Sequence, residues 1–121
     1  MLTYKNNDPY IEGTSLYDLV KVCQTPFYVY SQQKIINQVN KTKEILGNNI
    51  FYSIKSNSNQ AILKLMNSLD IGADVVSVGE LKRALEAGFD PNKIIFEGVG
   101  KSDQDLLYAC LLYTSDAADD M

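Results

Sequence analysis

Apolar, β-prone runs alternate with amphipathic helical stretches at intervals of roughly twenty residues through most of this chain, and few folds accept that rhythm. Residues 26–30 (Pro-Phe-Tyr-Val-Tyr) read as a short strand stopped by Ser31, a good helix N-cap. Ile35, Ile36, Val39, Ile45 and Leu46 then fall near one helical face, and Gly47-Asn48-Asn49 stops the helix. Residues 50–54 predict a buried strand that ends at Lys55. Ala61, Ile62, Leu65, Met66 and Leu69 recur every three or four positions and predict a helix closing before Gly72. Residues 73–77 predict the next strand, and residues 79–87 a helix capped by a left-handed Gly88. Residues 94–96 predict a further strand, and Ser102 with Asp105 matches the Ser-x-x-Asp start of another helix.

Strands alternating with helices imply βαβ crossovers and a parallel sheet, either doubly wound or closed into a barrel. Periodicity does not choose between these. A dinucleotide fold needs Gly-x-Gly-x-x-Gly after its first strand, and the chain has none. Gly100-Lys101-Ser102 resembles the end of a phosphate-binding P-loop, but the first glycine of that motif would fall at position 95, which is Ile95. The segment before residue 26 departs from the rhythm. Tyr4, Tyr10-Ile11 and the Leu16, Leu19, Val20 helical pattern do not build a βα unit and belong to another domain.

With 121 residues, the chain is about half the length that a closed eight-stranded barrel needs. Hydrophobic residues make up 45% and charged residues 21%, which argues against a disordered chain. No stretch is long and apolar enough for a membrane span, and the first residues lack the basic and apolar regions of a secretion signal, so the expected location is the cytoplasm. Histidine is absent and the two cysteines, Cys23 and Cys110, are far apart, which removes most zinc-site and catalytic-triad readings. Lys and Arg are not clustered, so nucleic acid is not an expected partner. Asn40-Lys41-Thr42 matches a glycosylation sequon by chance in a chain without a secretion signal.

One lysine stands out. In Phe51-Tyr52-Ser53-Ile54-Lys55-Ser56-Asn57-Ser58-Asn59 it sits where an apolar run gives way to small polar residues that can open a helix. The C-terminal strand ends of an α/β protein form the face where such folds gather their chemistry.

From Cys110 onward the text changes character. Cys-Leu-Leu-Tyr-Thr-Ser-Asp-Ala-Ala-Asp resembles the translation of a widely used sequencing adapter, so residues 110–121 are expected to be read-through rather than native. Without Asp116, Asp119 and Asp120, 12 acidic residues stand against 11 basic ones and the net charge rises from -4 to -1.

Three motifs follow one another at family spacing: Tyr52-Ser53-Ile54-Lys55-Ser56-Asn57-Ser58-Asn59, Gly72-Ala73-Asp74-Val75-Val76-Ser77-Val78-Gly79-Glu80-Leu81, and Phe96-Glu97-Gly98-Val99-Gly100-Lys101-Ser102. With Ile11-Glu12-Gly13 and residues 25–30, they extend over most of residues 10–109. This pattern resembles the diaminopimelate decarboxylases, of the ornithine, diaminopimelate and arginine decarboxylase family. The resemblance implies an α/β fold of the alanine racemase-like type, a partial (β/α)8 barrel preceded by a segment of a β domain. Residues 1–30 would belong to the β domain and residues 31–109 to the first part of a pyridoxal-phosphate-binding barrel.

The resemblance further implies that Lys55 holds pyridoxal 5'-phosphate covalently and later serves as an acid or base. An amine must be neutral to attack a carbonyl, and partial burial at the top of a barrel favours that form. Asp74 would lie near the lysine-cofactor link and stabilise its protonated form, although an aspartate bracing the strand end fits the residues as well. Glu80 falls in a first helical turn, where the macrodipole favours an acid regardless of function. Gly98 and Gly100 fit a tight turn, Lys101 shares their loop, and Tyr52 fits core filling. The implied reaction is decarboxylation of meso-diaminopimelate to L-lysine by a homodimer with a small amino-acid substrate.

The stacking histidine, glycine-rich phosphate cradle, late glutamate, and partner-subunit cysteine and tyrosine of that family cannot be placed in this chain. An incomplete, inactive and poorly stable piece of the enzyme is therefore expected. Competing readings are a decarboxylase of the same fold acting on ornithine, arginine or carboxynorspermidine, a non-enzymatic pyridoxal-phosphate-binding barrel, and a cofactor-free α/β binding module.

Overall fold

The computed structural model describes residues 1–112, which together with the remainder divide into two units, Met1–Thr42 and Lys43–Met121. Most of the adapter-like stretch, residues 113–121, lies outside the described residues. Its first residues, Cys110 to Leu112, continue a helix.

The first unit opens with a three-stranded antiparallel sheet of β1 (Leu2–Lys5), β2 (Asp8–Ile11) and β3 (Thr14–Ser15) in that spatial order. Tyr4 and Tyr10-Ile11, which did not fit the βα rhythm, fall on these strands. Both hairpin turns have two residues at positive φ, Asn6 (50°) with Asn7 (63°) and Glu12 (49°) with Gly13 (78°). That pair matches the right-handed twist of the flanking strands. Ser15 is buried, donates to the Asp8 carboxylate at 2.8 Å, and accepts from the Tyr17 N–H to cap α1 (Leu16–Val22).

Glu12 occupies a backbone region unfavourable to a side chain. Its carboxylate takes the Gln33 N–H at 2.7 Å and the Ser31 hydroxyl, meeting donors that the first turn of α2 (Gln32–Leu46) leaves open. Ser31 accepts from the Lys34 N–H at 3.1 Å, as a cap should. Residues 26–30 do not form the predicted strand. They have no ladder partner among the described residues, and Tyr28 is 89% exposed. A β-prone composition states fitness for a sheet, whereas a strand exists only when a neighbour supplies its hydrogen bonds.

The second unit is a parallel α/β layer. Strands β4 (Phe51–Ser53), β5 (Gly72–Val75) and β6 (Ile94–Phe96) lie in that order, joined through α3 (Gln60–Ser68) and α4 (Val78–Glu86), with α5 (Asp103–Leu112) following. One sheet face carries Ala73, Val75 and Ile94. They pack with Leu63 of α3, Leu81 and Ala84 of α4, and Ala109 of α5 into the core, where Leu63, Val75 and Leu81 have no exposed surface.

Alternation along strands puts Ser53, Asp74 and Ile95 in register on the opposite face. On that face Ile95 is 45% exposed. The predicted helices appear within two residues of their expected bounds. The strand predicted over 73–77 stops at Val75 because the next two residues have other work: the Val76 N–H goes to the Glu80 carboxylate at 2.8 Å, and the Ser77 hydroxyl accepts from the Glu80 N–H at 3.1 Å.

Candidate active site

Lys55 leaves the C-terminal end of β4 on a single 3-10 turn (Ile54–Ser56) rather than on the strand itself. Ile54 is fully buried in the core and fixes the start of the turn. The Asn57 N–H closes it on the Ile54 carbonyl at 3.1 Å, and the Tyr52 hydroxyl donates to the Asn57 carbonyl at 2.9 Å. Asn57 and Asn59 then accept from Asn59 and Ala61 N–H groups at 3.0 and 2.9 Å, which starts α3. The polar run after Lys55 thus opens a helix, as its composition implies. The lysine itself is exposed, and the expected partial burial is not found among the described residues. The 3-10 turn carries it out of the ladder that would have enclosed it.

Asp74 stands on the neighbouring strand, in register with Ser53. The Ser53 hydroxyl donates to Asp74 Oδ2 at 2.8 Å. Asp74 Oδ1 is shut off from solvent and has no hydrogen-bond partner among the described residues. An unpaired buried carboxylate oxygen is costly, and such atoms collect where a ligand or proton donor completes the site. Ser53 is the residue that sequence reading missed. No spacing in the sequence marks it, since only the pairing of β4 with β5 sets it beside Asp74.

The remaining candidates have structural duties. Glu80 receives the Val76 N–H and so secures the start of α4. Gly98 turns the chain at φ 111°, while Gly100 has an ordinary backbone. Lys101 folds back on its own loop, donating to the Phe96 carbonyl at 2.8 Å with its Nζ 5.1 Å from the Phe96 ring centre. Tyr52 packs against the core cluster. No group of three or more His, Cys, Asp or Glu side chains among the described residues could hold a metal ion. Two polar residues on neighbouring strands and one exposed amine beyond them are what the strand ends bring together.

Comparison with known proteins places this arrangement. The family described as the pyridoxal binding domain of pyridoxal-dependent decarboxylases matches residues 32–113. A diaminopimelate decarboxylase of Helicobacter pylori (strain J99) is 47% identical over 88 residues, covering 70% of this chain and 22% of its own. One of Aquifex aeolicus is 38% identical over 106 residues, covering 87% and 25%. The crystal structure of diaminopimelate decarboxylase from Helicobacter pylori complexed with L-lysine superposes with a TM-score of 0.72 at 42% identity, over 80% of this chain and 25% of that one. The chain therefore spans about a quarter of the length of the relatives it matches. Its parallel α/β unit is the N-terminal portion of their barrel.

Proposed function

We propose, since the chain belongs to the pyridoxal-dependent decarboxylases, that it is the N-terminal part of an enzyme releasing carbon dioxide from meso-diaminopimelate to leave L-lysine. The observation that carries this reading is Asp74, whose buried Oδ1 lacks a partner among the described residues, on the strand next to the one that leads into the exposed Lys55. Those residues suit pyridoxal phosphate. Lys55 would hold it through Nζ, and Asp74 would meet positive charge or a proton there. When bound, the cofactor supplies an electron-poor ring that accepts the electrons of the broken carbon–carbon bond.

The chain's own part is to bind and to handle protons. An exposed Lys55 Nζ is open to an aldehyde and, once released by a substrate amine, is free to carry a proton. Ser53 holds one Asp74 oxygen, so the carboxylate enters the reaction already oriented. Under this reading the partners are the amino-acid substrate and a second copy of the complete enzyme, in the cytoplasm. Residues 1–30 contribute to a β domain, residues 31–109 to the barrel, and residues 110–121 are adapter read-through.

The test begins at the DNA. Reading the source gene across codon 109, from a library free of the suspected adapter, is expected to reveal a frame that continues into a histidine, a glycine-rich loop, and a late glutamate and cysteine. Its product should release carbon dioxide from meso-diaminopimelate in preference to ornithine or arginine. A product that prefers either of those two overturns the substrate assignment, and a frame ending at Met121 overturns the assignment to a larger enzyme.

A further inference from the structure

Ser53 precedes the reactive amine by two residues, and neither the family match nor the relatives' names give it a role. In the parallel ladder its Cα pairs with that of Asp74, which puts both side chains on one face of the sheet. The third in-register residue on that face, Ile95 of β6, offers no hydrogen bond. Ser53 is thus the neighbour that ties the carboxylate, through a 2.8 Å bond from its hydroxyl to Oδ2. A carboxylate on a strand has two side-chain torsions, and one donor on one oxygen removes most of that freedom.

The consequence lies at the other oxygen. With Oδ2 occupied, Oδ1 is the acceptor left over, and it is buried without a partner among the described residues. Ser53 therefore fixes which oxygen stays available.

We propose that Ser53 is a positioning residue, whose hydroxyl orients Asp74 so that Oδ1 receives the proton-bearing nitrogen of cofactor linked to Lys55. This rests on the cofactor reading above. A merely structural serine would brace β4 against β5 and leave the cofactor's spectrum alone.

The experiment compares the chain with its Ser53→Ala, Ser53→Thr and Ser53→Cys variants, each mixed with pyridoxal phosphate at one fixed pH. Two quantities are read: the absorbance of the protonated lysine-linked cofactor, and the pyridoxal phosphate concentration that half-saturates it. Ser53→Ala is expected to lower the protonated absorbance several-fold and raise the half-saturating concentration several-fold. Ser53→Thr, which keeps the hydroxyl, should restore both. Ser53→Cys, of similar size but a weak donor, should fall between them and serves should the alanine variant fold poorly. Equal spectra and equal half-saturation across the three variants and the parent overturn the role of Ser53 and leave the cofactor reading standing. Absence of lysine-linked absorbance in the parent chain overturns the cofactor reading itself, and the role of Ser53 with it.

Discussion

Phe51 lies over Gly72 so closely that a Cβ at position 72 would sit 2.5 Å from its ring Cδ1 and 2.8 Å from the Lys93 carbonyl oxygen. The two residues pair in register at the start of β4 and β5, so the ring fills the space that a side chain on β5 would take. Gly72→Ala therefore forces either the ring or the backbone to move. Overpacking of this kind costs about 1–3 kcal/mol. Urea unfolding of the two chains measures it, and an unchanged midpoint would mean that the ring swings away freely.

Leu63 has no exposed surface and lies at the centre of the core between α3 and the sheet, whereas Leu107 is 62% exposed. Leu63→Ala is expected to cost about 2–5 kcal/mol, because the transfer and cavity contributions add. Leu107→Ala should cost less than about 0.5 kcal/mol. Thermal unfolding of both variants tests the contrast, and similar losses would place the core elsewhere.

The turn from β5 into α4 depends on two reciprocal bonds, Glu80 N–H to the Ser77 hydroxyl and Val76 N–H to the Glu80 carboxylate. Ser77→Ala is expected to lose about 0.5–2 kcal/mol of stability. Because the two residues share one cap, the loss in a Ser77→Ala, Glu80→Ala double variant should differ from the sum of the single losses. Simple additivity in a double-mutant cycle would contradict the shared cap.

Three carboxyls give the chain a pH dependence of known sign. Asp70 is held below its ordinary range first by the hydrogen bond from Lys93, Glu12 by the Ser31 hydroxyl, and Asp105 by the Ser102 N–H. In each case the folded chain binds its proton less readily than the unfolded one. The stabilisation is thus complete above the ordinary carboxylate range and is lost as pH falls through the lowered folded values. The thermal midpoint should drop on acidification into that region. Combining Asp70→Asn with Glu12→Gln should flatten the drop, and a double variant as acid-sensitive as the parent would assign the effect to other groups. Asp70 and Glu12 are exposed and Asp105 is half-buried, and added salt should weaken the Asp70–Lys93 share most.

Much of this was legible in the residues, for identifiable reasons. The strand and helix rhythm from residue 31 onward is written in local periodicity, and Ser102 with Asp105 forms the predicted reciprocal start of α5. Lys55 was legible as the end of an apolar run. Residues 26–30 were misread because a strand depends on its neighbour, which composition does not encode. The 3-10 turn and exposure of Lys55 follow from the anchoring of Ile54 in the core, a tertiary fact. Ser53 stayed hidden for the same reason: a serine beside an isoleucine is unremarked until the ladder sets it against Asp74, twenty-one residues on.

The central claim is that Lys55 carries the cofactor, and reductive trapping tests it most directly. The chain would be mixed with one equivalent of pyridoxal phosphate, reduced with borohydride, digested and mapped by mass spectrometry. The expected result is a pyridoxyl group concentrated on the peptide containing Lys55 and lost in Lys55→Ala. Label spread evenly over the exposed lysines, or unchanged by that substitution, would contradict the assignment of this strand end as the cofactor site.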